Sequence, residues 1–79
     1  MEVKILGSGC SKCINLERKV RQLVEENHFS EIQVIKVSDL TEMLNYGIMM
    51  TPGLIIDGVV KSIGTVPADK KLVSWLKGE

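Results

Sequence analysis

The feature that most constrains this chain is a strand, an amphipathic helix and a second strand that follow one another in its first half. Residues 2–6 (EVKIL) alternate and are rich in branched side chains, which is typical of a strand. From Ser11 to about Asn27, apolar residues recur at the spacing of one helix face. Residues 31–37 (EIQVIKV) predict a second strand. Because a mostly helical link joins the two strands, we expect them to lie parallel in one sheet.

The second half predicts a short helix, a hairpin and a closing helix. Asp39 can cap a helix over about residues 40–46. Residues 54–57 and 59–63 are typical of two strands joined by an Asp-Gly turn, and Thr65 can cap a last helix. The order βαβαββα therefore predicts one α/β domain, with a four-stranded mixed sheet and helices on both faces.

Composition excludes several classes of function. The chain has ten basic and ten acidic side chains, so it has no general attraction for nucleic acid or anionic membranes. Its start, MEVKILGSG, lacks the basic leader and the longer apolar stretch of a signal peptide. No run approaches the roughly 18 apolar residues of a membrane span. We therefore expect a cytoplasmic monomer that binds neither nucleic acid nor membrane.

The only two cysteines, Cys10 and Cys13, fall in the predicted turn between the first strand and the first helix. Residues three apart on a helix have Cβ atoms about 5–6 Å apart, close to the roughly 4 Å of a disulfide. The helix N-terminus carries about half a positive charge, which favours a thiolate, and Lys12 adds a nearby cation. By position, Cys10 is the predicted attacking thiol and Cys13 the predicted resolving thiol.

Two other uses of the cysteine pair stay open at this point. A structural bridge closes too small a loop to stabilise much, and such bridges are rare in a reducing cytosol. Two thiolates can bind a soft ion such as Cu(I), whereas zinc usually takes four ligands and the single histidine, His28, lies at the far end of the first helix. Soft-metal or metalloid handling is the alternative function, and an adaptor without turnover is a third.

The stretch GSGCSKC before the first helix, together with the later stretch MMTPGLIIDG, resembles the small thioredoxin- and glutaredoxin-like redox-active disulfide proteins of bacteria and archaea. The resemblance covers essentially the whole chain. It implies a minimal thioredoxin fold and a thiol–disulfide oxidoreductase with no cofactor beyond a Cys10–Cys13 disulfide. It also implies protein disulfides as substrates and a separate thioredoxin-reductase-like partner, because the chain is too short to hold a flavin domain.

The same resemblance points to further site residues in the second stretch. Pro52 occupies the place of the cis-proline that lies against the disulfide in this superfamily. Thr51 would present its backbone to an extended substrate segment. Apart from the resemblance, the flexible apolar side chains of Met49 and Met50 are candidates for a rim that contacts a partner protein, and Met50 for binding the substrate, although methionines are more often buried in a core.

Overall fold

The chain folds into strands and helices in the order that the sequence predicts. The structure, a computed structural model, describes residues 1–7 and 9–78. Its elements are β1 (Glu2–Leu6), α1 (Ser11–Glu26), β2 (Gln33–Val37), α2 (Leu40–Asn45), β3 (Gly53–Ile56), β4 (Val59–Ile63) and α3 (Asp69–Leu76). Within these described ranges, no helix combines the length and the apolarity needed to cross a bilayer.

The four strands form one mixed sheet in the spatial order β2-β1-β3-β4. Strand β1 runs parallel to β2 and antiparallel to β3, and β3 and β4 form an antiparallel hairpin. The crossover through α1 places β2 on one side of β1, and β3 pairs with the other side, so β1 lies inside the sheet. The predicted α/β architecture with a four-stranded mixed sheet is confirmed.

Side chains alternate across the sheet, so the core divides into two layers. The layer beneath α1 and α3, here called the α1/α3 layer, contains Val3, Ile5, Leu16, Val20, Leu23, Leu54, Ile56, Leu72 and Leu76. The opposite layer beneath α2, here called the α2 layer, contains Leu6, Val37, Met43, Ile48 and Ile55. Helices therefore cover both faces of the sheet, as predicted.

The turn that carries the cysteines is fixed at the carboxyl ends of the two parallel strands. The backbone N–H of Gly7 donates to the carbonyl oxygen of Val37 at 2.9 Å, which extends the β1–β2 pairing by one residue. Gly9 then takes a φ of +89°, a conformation that glycine adopts without steric cost. Helix α1 begins two residues later and is anchored by the buried Leu16 and Val20.

The local signals around α2 and the hairpin are confirmed. The Asp39 carboxylate accepts from the backbone N–H of Thr41 at 2.8 Å and so caps α2. Asp57 and Gly58 both have positive φ, +49° and +83°, as a tight two-residue hairpin turn of the favoured twist requires. Strand β3 accordingly ends at Ile56, one residue before the predicted end.

The predicted start of the last helix is wrong. Helix α3 begins only after Ala68, whose side chain makes no capping bond, and Thr65 lies exposed in the preceding loop. The N–H of Gly64 donates to the Pro52 carbonyl at 2.8 Å, and Val66 packs against the α1/α3 layer. These two contacts hold the loop along the sheet, so the chain turns into a helix later than Thr65.

Strand β2 is also shorter than predicted. It was expected to begin at residue 31, and it begins at Gln33. The N–H of Ile32 donates to the Phe29 carbonyl at 3.1 Å, so the residues before the strand close a turn after α1. Because the N–H of Ile32 is bonded within that turn, it does not pair with β1, and the strand starts after it.

Lys4, in the middle of the central strand β1, is bonded to side chains on the α2 side of the sheet. The Lys4 ammonium donates to the Glu42 carboxylate at 3.0 Å and to the Tyr46 hydroxyl at 3.4 Å, and it lies 5.6 Å from the centre of the Tyr46 ring. The hydrogen bond to Glu42 and then the one to Tyr46 raise the pKa of Lys4. These contacts link β1 to α2 and its C-terminal end.

Candidate active site

Cys10 and Cys13 are joined by a disulfide at the N-terminus of α1, so the structure represents the oxidised protein. Cys10 is the N-cap residue of the helix, with extended backbone angles and an exposed side chain. Cys13 lies one turn further in and is 2% exposed, and the two Cα atoms are 5.1 Å apart. The two sulfurs of the bond therefore differ sharply in their access to a partner.

The start of the helix favours negative charge on Cys10. Its Sγ accepts from the backbone N–H of Cys13 at 3.3 Å, which satisfies one of the N–H groups that a helix start leaves unpaired. The first turn of α1 contains no acidic residue, so no carboxylate offsets the positive end of the helix dipole there. In the reduced protein this arrangement favours a Cys10 thiolate, the nucleophilic form of the side chain.

Lys12 lies exposed in the same turn. Among the described residues, its ammonium makes no hydrogen bond or ion pair with the sulfur of Cys10. Its influence on the thiolate would act through solvent, where salt screens it. The role predicted for Lys12 in tuning Cys10 stays a prediction.

Gly7 is a residue of the site whose importance the sequence reasoning missed. A Cβ built on Gly7 would overlap Cys13 Sγ and lie 2.9 Å from Cys13 Cβ. The buried sulfur therefore occupies space that any other residue at position 7 would fill. The available signal in the sequence was a glycine at the end of the first strand, just before the cysteine pair.

The segment that connects α2 to β3 lies beside the cysteines. The Thr51–Pro52 peptide bond is cis, and the hydroxyl oxygen of Thr51 lies 3.7 Å from Cys10 Sγ. Pro52 is fully buried, and its carbonyl accepts from Gly64 N–H. The loops that follow β1, α2 and β4 thus converge beside the exposed sulfur.

Met49 and Met50 lie on the surface and not in the core, with exposed fractions of 88% and 65%. Met50 lies over Gly64, because a Cβ at Gly64 would be 3.4 Å from both Cβ and Cε of Met50. Ile48 takes the buried place next to them and is 2% exposed. The two methionines consequently form an exposed apolar surface that leads directly into Thr51.

The alternative of metal handling gains no support from the side-chain arrangement. In the described part of the chain, no three or more histidine, cysteine, aspartate or glutamate side chains are grouped as a metal ion would need. His28 lies exposed beyond the C-terminus of α1, at the opposite end of that helix from the cysteines.

Comparison with known proteins agrees with this site. A family model described as a thioredoxin domain matches residues 1–77. A thioredoxin of Methanothermobacter thermautotrophicus is 31% identical over 91% of this chain and 92% of its own length. A thioredoxin of Methanocaldococcus jannaschii is also 31% identical, over 98% of this chain and 92% of its own length.

These matches and the Cys10–Cys13 disulfide support a thioredoxin-like redox function. The order of the sheet and the three helices give the minimal thioredoxin fold that the resemblance implied. With fold, disulfide and sequence in agreement, the chain belongs to the thioredoxin-domain family.

Proposed function

We propose that this protein is a thiol–disulfide oxidoreductase that reduces or exchanges disulfides of other proteins through Cys10 and Cys13. The observation that carries this proposal is the asymmetry of the disulfide, in which an exposed Cys10 at the helix start is bonded to a buried Cys13. A disulfide in a folded or unfolded protein is too bulky to enter the core. It can reach the outer sulfur alone, and that sulfur is the one the helix end favours as a thiolate.

In the first step, the Cys10 thiolate attacks one sulfur of the substrate disulfide. A new bond forms between Cys10 and that sulfur, the substrate bond breaks, and the other substrate sulfur leaves as a thiolate. The Cys13 N–H donates a hydrogen bond to Cys10 Sγ and so stabilises negative charge on that sulfur before the attack. This step produces a mixed disulfide between the two proteins.

In the second step, Cys13 passes its proton to the substrate thiolate released in the first step, and the resulting Cys13 thiolate attacks Cys10 and displaces the substrate. The Cys10–Cys13 bond forms, the mixed disulfide breaks, and the substrate leaves with both sulfurs reduced. Two electrons have then moved from this protein to the substrate. Burial of Cys13 supports its resolving role, because it keeps that sulfur beside Cys10 and away from other partners.

The cycle consumes the dithiol, so a separate reductase must return two electrons and two protons to the Cys10–Cys13 bond. We assign the cytoplasm as the compartment, because its reducing poise keeps such pairs available as dithiols. Beyond the redox-active disulfide itself, the steps above need no cofactor.

The surface around Cys10 supports a role in holding an extended substrate segment. The Thr51 hydroxyl lies 3.7 Å from the exposed Cys10 sulfur, so a substrate segment bonded to Cys10 would pass close to the backbone of Thr51. The exposed Met50 side chain would add a flexible apolar contact. Methionine adapts to partners of different shape, as a general protein reductase requires. In the same proposal, Lys12 adds positive charge beside the attacking thiolate.

The test is turnover of a protein disulfide with a chemical reductant as electron source. The wild-type protein should accelerate reduction well above the uncatalysed rate, and Cys10→Ser should return it to that rate. Ser11→Ala, one position along the same helix turn, is the matched control and should retain activity. Full activity in Cys10→Ser would overturn the proposal.

A further inference from the structure

Two exposed methionines, Met49 and Met50, lie in the segment that approaches the disulfide, and the cycle above gives their sulfur atoms no chemical role. We propose that Met50 is an oxidation site, at which a peroxide converts the thioether to a sulfoxide and thereby weakens the binding of protein substrates until the sulfur is reduced again. The inference rests on the proposed function, because it concerns the surface that would hold the substrate of Cys10. It assigns to that surface a reversible modification that regulates it.

The four methionines differ widely in their access to a small oxidant from solvent. Met43 is buried in the α2 layer and is 5% exposed. Met1 precedes β1, at the opposite end of that strand from the cysteines, and is 37% exposed. Met50 and Met49 are 65% and 88% exposed. A peroxide therefore reaches the two sulfurs near the active site more easily than the sulfur of Met43.

The Met50 side chain lies on the loop that follows β4. A Cβ built on Gly64 would be 3.4 Å from Met50 Cε and 3.9 Å from Met50 Sδ, so the thioether rests over that glycine. The N–H of Gly64 donates to the Pro52 carbonyl, which connects this loop to the segment before β3. In that segment the Thr51 hydroxyl lies 3.7 Å from Cys10 Sγ. An oxygen atom added to Met50 Sδ would therefore lie on the surface around Cys10.

The disulfide form of the protein leaves the thioethers as its oxidisable sulfurs. The chain contains two cysteines, and both are joined in the Cys10–Cys13 bond. A disulfide presents no thiolate to a peroxide, and the thiolate is the form of cysteine that such oxidants attack. In this state Met50 is oxidised without competition from Cys10.

The modification transfers one oxygen atom from the peroxide to sulfur. With hydrogen peroxide, the O–O bond breaks, an S–O bond forms at Met50 Sδ, and the second oxygen leaves as water with both hydrogens. The thioether loses two electrons and the peroxide gains them. Methionine sulfoxide reductases reverse the step, removing the oxygen as water with two electrons and two protons from thiols.

The sulfoxide changes what the surface can bind. A thioether is apolar and adapts to its partner, whereas a sulfoxide is polar and hydrated. A substrate segment that covers Met50 would have to displace that water, which disfavours the complex. The reaction at the Cys10 sulfur is not altered by the added oxygen. Substrate binding should weaken, and the rate of the bound complex should stay nearly the same.

The test uses the full chain in its disulfide form, which is treated with hydrogen peroxide and then freed of it before any substrate is added. Mass spectrometry of its peptides gives the rate of sulfoxide formation at each methionine. Met49→Leu and Met50→Leu are the matched pair, because each replaces one thioether by an apolar side chain that peroxide does not oxidise. Kinetics of protein disulfide reduction are measured for every protein before and after treatment, so each serves as its own reference.

Sulfoxide should form about tenfold faster at Met50 than at Met43, in proportion to their exposed fractions of 65% and 5%. Treatment should raise the KM of the wild type and of Met49→Leu about three- to tenfold with little change in kcat, because an apolar contact is replaced by a hydrated one. Treatment should leave the KM of Met50→Leu unchanged. Methionine sulfoxide reductases of both epimer specificities should restore the KM of the treated wild type.

Three results would each overturn the proposal: equal oxidation rates at Met50 and Met43, an unchanged KM in wild type that carries the Met50 sulfoxide, or an equal rise of KM in treated Met50→Leu. Turnover by the untreated protein combined with any of these results leaves the proposed function standing and rejects the modification alone. An untreated protein without turnover rejects the proposed function and, with it, this inference.

Discussion

The α1/α3 layer and the α2 layer cover opposite faces of one sheet, but they are built very differently. Helices of 16 and 8 residues cover the α1/α3 layer, and the fully buried residues that the structure describes there are apolar. A helix of six residues covers the α2 layer, which also holds the Lys4 ammonium against Glu42 and Tyr46. On that helix Leu40 and Leu44 are 65% and 59% exposed.

This difference separates the two tasks of the site. Both thiols lie at the start of α1, Cys10 as its N-cap and Cys13 in its first turn. Because α1 is anchored in the heavily packed α1/α3 layer, the two sulfurs are held in fixed positions. The segment that approaches them, from Met49 to Pro52, returns from the lightly covered α2 layer. A surface with fewer buried contacts adapts more easily to different partners. Under the proposed function, chemistry and substrate contact would therefore come from opposite faces of the sheet.

The largest expected change in stability is at Gly7, beside the start of α1, because a Cβ at this position would overlap Cys13. Gly7→Ala should lower the free energy of unfolding of the oxidised protein by about 1–3 kcal/mol, because the new methyl group overpacks the space of the buried sulfur. The loss should be smaller after reduction, when Cys13 can rotate away. Urea unfolding of both redox forms measures the two values.

Gly9→Asn is the matched control for Gly7→Ala. A Cβ at Gly9 would meet no atom within 4 Å, and asparagine tolerates positive φ better than most residues. The cost should stay below about 1 kcal/mol. Equal stability losses at the two glycines would show that Cys13 is not tightly enclosed.

A smaller effect, on substrate binding, is expected at Met50, in the segment between α2 and β3. Met50→Lys should raise the KM for a protein disulfide about three- to tenfold with little change in kcat, since a desolvated thioether contact is replaced by a hydrated charge. Val59→Lys introduces the same side chain at another exposed apolar position, at the opposite end of the sheet. Steady-state kinetics of both variants provide the comparison, and equal KM values would remove Met50 from the substrate surface.

The smallest expected effect concerns Lys4 and its pH dependence. Because the pKa of Lys4 is raised above 10.5 in the folded state, its stabilising contribution is fully present below that pH and is lost as pH rises through the folded pKa. Urea midpoints of the oxidised protein between about pH 9 and pH 12 should therefore decline less steeply in Lys4→Met than in the wild type. Lys61→Met, on the exposed β4, should keep the wild-type slope. Identical slopes in all three proteins would contradict the linkage.

The elements that sequence predicts well are those specified locally. The helix-face spacing of α1, the Asp39 cap and the Asp-Gly turn each depend on residues close together in the chain. The cap expected at Thr65 failed because a distant bond, from Gly64 to Pro52, holds that loop against the site. A capping pattern depends only on neighbouring residues, so it cannot predict a contact between distant ones.

The finer structure of the site depends on contacts between distant residues. Thr51 approaches Cys10 across 41 positions of sequence, and Lys4 reaches Glu42 across 38. Spacing within one helix indicated the pairing of the two cysteines, and family resemblance brought Thr51 and Pro52 into consideration. Neither could reveal that Gly7 makes room for the inner sulfur, because that requires the three-dimensional position of Cys13.

The measurement that tests the central claim most directly is covalent trapping of a substrate on single-cysteine variants. Reduced Cys13→Ser and Cys10→Ser are each incubated with the same protein disulfide, and the adducts are quantified by mass spectrometry. Cys13→Ser should accumulate a stable mixed disulfide at Cys10, because the resolving sulfur is gone, while Cys10→Ser should form almost none, because Cys13 is 2% exposed. A faster or equal yield of adduct at Cys13 in the Cys10→Ser protein would contradict the account.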